Sequence, residues 1–311
     1  MIILVTGGTG FIGSHLVHKL LKLKHKVILL KRRMSDTWRI NDVLKQCFIY
    51  NSDDNLEKVF RENKIDIIIH LATKYVKFHK HSKEAKEIIN TNITFPTLLL
   101  DLAVKYKVNG FINTGTCFEY RLTNKKLKET DKIEPYNFYA ASKIAFEEVL
   151  KFYSKNYKIN AVTLKLFYPY GEKDNQKLIS LVITALLQKQ KLCLNSGKQK
   201  LNFTYISDIV DAYIKVLNFI FSSEYTSYEV FNTGADKAYS VRQIVHYLQK
   251  IYHDKGDINF GTSSHKNKDI KHMNCNNQKA KRLLNWQPKV NLATGLDKTY
   301  NYSISKLSEF N

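Results

Sequence analysis

The chain has 311 residues, of which 44% are hydrophobic and 25% charged, with 12 glycines and 4 prolines. That composition is ordinary for a globular protein and excludes a collagenous, linker-like or disordered chain; at roughly 100–200 residues per domain, it predicts two domains or one large domain with an appendage. Lys+Arg 49 against Asp+Glu 28 leaves a net charge of +21, which suits an anionic partner, but the cations are scattered with no Arg-rich tail or RNA-binding signature, so no nucleic acid is expected.

From the N-terminus, residues 2–6 form a short apolar run that predicts a strand. Residues 11–23 follow with helical spacing at Phe11, Ile12, Leu16, Leu20 and Leu23. Only six residues precede Gly7, so no signal peptide is expected. Strands are expected at 27–30, 65–69, 110–114 and 161–167, and helices at 55–62 and 137–155. The stretch 83–107 reads as a long helix that Pro96 must kink or break. This alternation predicts an α/β fold, a Rossmann-type doubly wound parallel sheet covered on both faces. Further on, helices are expected at 177–189, 207–221, 240–251, 277–284 and 292–307, with short strands at 191–194 and 203–206. No apolar run approaches the roughly 20 residues of a membrane span. The four cysteines lack CxxC spacing and the ten histidines lack metal-ligand spacing. Reduced thiols, a cytoplasmic location, no membrane partner and no metal site are therefore expected.

Thr6, Gly7, Gly8, Thr9, Gly10, Phe11, Ile12 and Gly13 join the first strand to the first helix. Gly7 permits the tight turn, Gly10 lets backbone N–H groups approach a pyrophosphate at the helix N-terminus, and Gly13 lets the helix pack close to the sheet. Strand before and helix after make this a dinucleotide site. The second strand runs into Lys31, Arg32 and Arg33, where NAD-binding chains usually carry an acid for the ribose 2′-hydroxyl. Guanidinium groups suit a 2′-phosphate, which favours NADP(H), with NAD(H) as the alternative.

Tyr139 and Lys143 are four residues apart on the amphipathic helix and share a face. An ammonium beside a phenol lowers the tyrosine pKa, which equips Tyr139 as a general acid/base. With these residues in place, the chain resembles the extended short-chain dehydrogenase/reductases, the NAD(P)-dependent epimerase/dehydratase group that acts on nucleotide sugars. TGGTGFIG at 6–13, IIHLAT at 68–73, NTGTCFEY at 113–120, YAASK at 139–143, LFYPYG at 166–171 and LNWQP at 284–288 fall in family order.

The resemblance implies a catalytic set of Thr116, Tyr139 and Lys143. It implies cofactor contacts from Gly7, Thr9, Gly10, Phe11, Ile12, Gly13, Arg32, Arg33, Leu71, Ala72, Thr73, Tyr139 and Lys143. Substrate contacts are expected from Lys74, Thr116, Cys117, Tyr168 and Lys200. It also implies a homodimer and two domains: 1–167 with about 205–232 for the dinucleotide, and 168–204 with 233–311, a smaller C-terminal α/β unit, for the nucleotide-diphosphate sugar.

Departures from the family narrow the chemistry. Family dehydratases carry Asp-Glu directly after the catalytic Thr, to expel water from the sugar; here Cys117 and Phe118 stand there. The family's epimerising cysteine lies two after the Ser/Thr, so Cys117 is one residue early and reads as a packed thiol. Tyr168 replaces the family Asn, and Leu201-Asn202 replaces Arg-Asp, leaving Lys200 or another lysine for the diphosphate. Within the family, the chain is most similar to the 4-ketoreductases that finish deoxysugar nucleotides for surface polysaccharides such as lipopolysaccharide O-antigen. The expected reaction is NADPH-dependent reduction of the C4 keto group of a nucleotide-linked 4-keto-6-deoxysugar. The alternatives are a 4-epimerase holding NAD tightly and, more distantly, a non-catalytic dinucleotide- or RNA-binding protein of the same fold.

Overall fold

The computed structural model describes residues 1–174, 177–225, 228–252, 256–261 and 270–308. The first half alternates β1 (Ile2–Thr6), α1 (Phe11–Lys22), β2 (Lys26–Lys31), β3 (Phe48–Asn51), α2 (Leu56–Glu62), β4 (Ile67–His70), α3 (Ser82–Ile89), α4 (Phe95–Lys105), β5 (Gly110–Thr116), β6 (Lys126–Leu127), α5 (Phe138–Tyr157) and β7 (Asn160–Leu166). The second half holds β8 (Pro169–Tyr170), α6 (Leu178–Leu187), β9 (Leu192–Leu194), β10 (Lys200–Leu201), β11 (Thr204–Tyr205), α7 (Ile206–Phe219) and β12 (Glu229–Thr233). It ends with β13 (Tyr239–Ser240), α8 (Val241–Ile251), β14 (Ile258–Phe260), β15 (His272–Cys275), α9 (Gln278–Leu284) and α10 (Leu292–Ser308).

A seven-stranded sheet runs in the order β12-β7-β5-β4-β1-β2-β3, and every pair in it is parallel. Helices cover both faces, so the interior strands are buried on successive residues and mostly apolar, with Thr163 and Lys165 of β7 as buried polar exceptions. The two-residue period of the strands then sorts them between two cores. Ile3, Val5, Ile67, Ile69, Ile112 and Val162 enter one, with α1, α6 and α7. Leu4, Ile28, Ile68, Phe111 and Ala161 enter the other, with α2, α4 and α5. Strand order reverses between β1 and β4, so their C-terminal ends open into the crevice where doubly wound sheets bind ligands.

Two strands of this sheet, β3 and β12, lie outside the expected set. Both are edges: Phe48 and Ile49 of β3 are exposed, and β12 mixes Glu229, Asn232 and Thr233 into its run, so neither reads as a buried apolar strand. The long helix at 83–107 is two helices joined by a π turn at Asn90–Thr94, with Pro96 in the first turn of α4. A proline has no N–H for the preceding turn, which widens in response.

The second half adds a four-stranded sheet, β13-β10-β15-β6, and the pairs β11-β8 and β14-β9. The LNWQP segment locks it to α7: the buried Trp286 donates from Nε1 to the Asp208 carbonyl at 2.9 Å, and Asp208 Oδ2 accepts from the Val290 amide. No helix among the described residues is long and apolar enough to cross a membrane.

Candidate active site

The crevice begins at the glycine turn. Gly7 adopts φ +69°, and a Cβ there would lie 2.6 Å from the Ala72 amide nitrogen. A Cβ at Gly13 would lie 2.2 Å from the Gly7 carbonyl oxygen, so α1 approaches the turn as only glycine permits. The Gly10 amide donates to Gly7 O at 3.0 Å, while a Cβ at Gly10 would meet nothing nearer than that oxygen at 3.2 Å, which leaves the cradle open. No side chain caps α1 and no acid lies in its first turn. Its N-terminal amides are thus arranged for an anion, as the pyrophosphate of a dinucleotide requires. The loop after β4 closes the other side: Leu71 N donates to Thr6 O, and Ala72 N to the Thr6 hydroxyl. That hydroxyl also bonds Nδ1 of His70, which burial holds far below the usual imidazole range.

Arg32 and Arg33 stand exposed beyond β2. Asp53 accepts the Arg33 amide at 2.6 Å, and Asp54 pairs with its guanidinium at 2.7 Å. The cluster is therefore not purely cationic, because β3 brings acids from twenty residues downstream.

The side chains expected to react lie where β5 hands over to a 3₁₀ turn, Cys117–Glu119, which packs beside α5. Thr116 caps that turn: its hydroxyl accepts from Phe118 N at 3.3 Å, while Glu119 Oε1 accepts from Thr116 N at 2.7 Å. Asn137 caps α5 through Ala140 N, which sets Tyr139 and Lys143 on the helix's buried face. Burial, and next the charge of Glu119, push the Tyr139 phenol above its ordinary range, while the Thr73 hydroxyl pulls it back. This corrects the expectation that Lys143 draws the phenol down. Lys143 is itself desolvated, lowered to about 8 by burial, and Glu119 and Glu147 oppose that fall.

Several residues of this corner escaped the sequence reading. Asn92, in the π turn, accepts from the Thr73 hydroxyl at 3.0 Å and the Lys74 amide at 2.8 Å, and its amide donates to Lys74 O and to the Ser142 hydroxyl. It thereby ties the loop after β4 to α5, beside Lys143. Glu119 and Lys165 form an ion pair at 2.9 Å beneath Thr116. Lys177, the residue before α6, is exposed at the surface, its ammonium 4.7 Å from the Phe11 ring centroid and donating to the Pro169 carbonyl at 3.3 Å. Desolvation of that ammonium lowers its pKa. Only the helix-breaking Pro96 hinted at the Asn92 turn; the others had no local signal.

An aromatic wall follows Thr116. Phe118 packs on Tyr136 and edge-on to Tyr168, which packs on Phe203, while Tyr75 meets the Tyr139 ring edge-on at 4.9 Å. Tyr168 has φ +32°, left-handed backbone that asparagine tolerates better than tyrosine. The chain thus keeps a turn suited to the family's Asn while presenting a ring.

Not every expected substrate contact reaches the crevice. Cys117 is buried in the larger core, its thiol pushed up by burial, so it is a packed side chain and not part of the crevice surface. Lys74 is paired with Glu87 at 2.7 Å. Lys200 is exposed on β10, while its neighbour Leu201, on the opposite face of that strand, is buried.

This combination of sheet, glycine turn and Thr–Tyr–Lys corner defines an enzyme of the short-chain dehydrogenase/reductase type. More particularly, the chain belongs to the NAD dependent epimerase/dehydratase family, whose sequence profile matches residues 3–234. It is 30% identical to the CDP-abequose synthase of Salmonella typhimurium over 304 residues, 95% of this chain and 96% of that protein. Among solved structures it is similar to UDP-glucose 4-epimerase with UDP-glucose from Thermotoga maritima (TM-score 0.89, 26% identity, 99% of this chain and 100% of the other). It is equally similar to UDP-glucuronic acid 4-epimerase from Bacillus cereus in complex with UDP-glucuronic acid and NAD (TM-score 0.89, 27% identity, 99% and 100%).

Proposed function

We propose that the protein reduces the C4 keto group of a nucleotide-linked 4-keto-6-deoxysugar with NADPH, as a cytoplasmic homodimer whose product feeds a surface polysaccharide. The observation that carries this reading is the turn after Thr116. Its first two side chains are a buried thiol and an aromatic ring, and its one carboxylate, Glu119, is committed to Lys165 and the Thr116 amide. Expelling water from a sugar needs a further acid and base beside the carbonyl; reducing a ketone needs one proton donor, a role this reading gives to Tyr139. The aromatic wall of Phe118, Tyr136 and Tyr168 suits the apolar face of a deoxysugar.

In this reading Gly7, Thr9, Gly10, Phe11, Ile12 and Gly13 hold the pyrophosphate, Leu71, Ala72 and Thr73 line the dinucleotide, and Arg32 with Arg33 receives the 2′-phosphate. The bound nicotinamide supplies the hydride. Thr116 donates a hydrogen bond that orients the keto oxygen, Tyr139 delivers the proton to that oxygen, and Lys143 holds positive charge beside the phenol. In this reading Lys177, which precedes α6 and lies beside the Phe11 ring of the glycine turn, takes the role expected of Lys200 toward the sugar-nucleotide diphosphate. Residues 168–204 and 233–311 supply the rest of the sugar-nucleotide side.

A second reading, a nucleotide-sugar 4-epimerase with tightly held NAD, is favoured by the likeness to the two epimerase structures and uses the same three side chains. Cofactor behaviour separates them. Purified protein is denatured, the released dinucleotide identified, and NADPH and NADH titrated into the emptied protein. Little retained cofactor with strong NADPH preference supports the reductase; stoichiometric NAD that survives purification overturns it in favour of the epimerase.

A further inference from the structure

Beneath the catalytic corner lies a group of ionisable side chains that the proposed reaction does not itself consume. Glu119 comes from the 3₁₀ turn, Lys143 and Glu147 from adjacent turns of α5, and Lys165 from β7, and all four are buried. The Lys165 ammonium is 2.9 Å from Glu119 Oε2 and 3.3 Å from Glu147 Oε2, so one lysine serves two carboxylates. Lys151 reaches Glu147 at 3.3 Å from the rim, but it is solvated and shared with Glu148. With both carboxylates ionised one buried negative charge is left over, and burying it unpaired is costly; burial accordingly raises Glu119 to about 7, with the Lys165 charge opposing that rise. Lys143 is the buried cation one turn before Glu147 on the same helix face.

The other groups facing this array carry no charge to balance it. Burial holds His70 of β4 neutral, and it keeps the phenols of Tyr139, Tyr120 and Tyr228 protonated. The Tyr120 ring lies under the Lys165 ammonium at 4.8 Å, and the Tyr228 hydroxyl donates to Thr163. Glu129, farther out beside Tyr120, accepts from the Asn232 amide.

We propose that Glu119 is a positioning residue with two roles: its Oε1 anchors the Thr116 backbone, and its charge, shared with Glu147 across Lys165, keeps Lys143 protonated inside the buried corner. The proposal rests on the reading of Thr116, Tyr139 and Lys143 as the reacting set. It predicts that the two carboxylates act on Lys143 through space although neither touches substrate. Removing either negative charge leaves burial to dominate, and burial favours a neutral amine.

The test follows Lys143 directly and needs no substrate. Full-length protein carrying 15N in its lysine side chains is titrated by NMR, with the Lys143 signal identified by its loss in Lys143→Arg. In Glu119→Gln, which retains an oxygen for the Thr116 amide, the Lys143 midpoint is expected to fall by about one pH unit or more, a tenfold loss of proton affinity. Glu147→Gln is expected to move it in the same direction, and it carries the test should Glu119→Gln not fold. Exposed lysines report no change in either variant. A Lys143 midpoint that stays within about 0.3 pH unit of the parent in a folded variant overturns the proposal. Failure of the parent protein to reduce any keto-sugar nucleotide would sink the functional reading instead, and is distinguishable because the titration contains none. Where the parent is active on CDP-4-keto-6-deoxyglucose with NADPH, the alkaline limb of kcat/KM in Glu119→Gln moves to lower pH with the Lys143 midpoint.

Discussion

The glycine turn and the catalytic corner lie at the same edge of the sheet but are built on opposite principles. At the turn the working groups are backbone amides, and side chains matter by being absent: a Cβ at Gly7 or Gly13 would collide with main chain. At the corner the working groups are side chains held by other side chains, some near in sequence, as Glu119 holds Thr116, and some distant, as Asn92 holds Ser142. A backbone site is rigid because its geometry is covalent and steric. A side-chain site is as rigid as the network beneath it.

The largest separation between the two comes from Tyr139→Phe. Losing a general acid typically costs 10²–10⁴-fold in rate, so reduction of a keto-sugar nucleotide should fall by about that much while dinucleotide binding, followed by fluorescence, weakens far less, since the glycine turn is intact. A variant that loses both would mean the corner and the turn are not independent sites. Gly13→Ala should do the converse. Its methyl group must displace the Gly7 carbonyl, at an overpacking cost of about 1–3 kcal/mol in denaturant unfolding, with dinucleotide affinity down at least about tenfold. Parent-like binding in that variant would refute the backbone account of the turn.

Asn92→Ala tests the joint between the regions. It leaves the Lys74 amide without its acceptor and removes the donor to Ser142. About 1–3 kcal/mol of stability should be lost, with the rate affected more than dinucleotide binding. The smallest effect is in pH. Burial depresses the His70 pKa well below 6.5, so the unfolded chain takes up a proton that the folded protein refuses. Stability is therefore lost as pH falls below about 6.5, at up to ~1.4 kcal/mol per pH unit from this group. His15 is shifted the same way, so the comparison is with His70→Gln, whose urea midpoint should fall less steeply over that range. Identical slopes would show that His70 does not stay neutral at the crevice floor.

How much was legible follows from how far each signal reaches along the chain. Strands β1, β2, β4, β5 and β7 are interior and buried on both faces, so they appear as apolar runs. Edge strands β3 and β12 are half-solvated or carry polar residues, which removes that signature. The glycine spacing and the Tyr139–Lys143 pair are written within a few residues, because one turn and one helix face define them. Lys165 and Lys177 had no local pattern, and Asn92 had only the hint of Pro96, since their partners lie on other elements. Direction was lost as well as position: proximity on a helix said that Lys143 lowers the Tyr139 pKa, whereas burial and Glu119 raise it.

By itself, the sequence determined the alternating parallel sheet, the site of the glycine turn and the shared helix face of Tyr139 and Lys143, because period, turn chemistry and helix spacing are local constraints. Tertiary structure alone decided which charges these residues feel. It buried Lys143 among two carboxylates, withdrew Cys117 into the core and tied Arg33 to Asp54. Electrostatic strength depends on distance and desolvation, and both are properties of the packed chain.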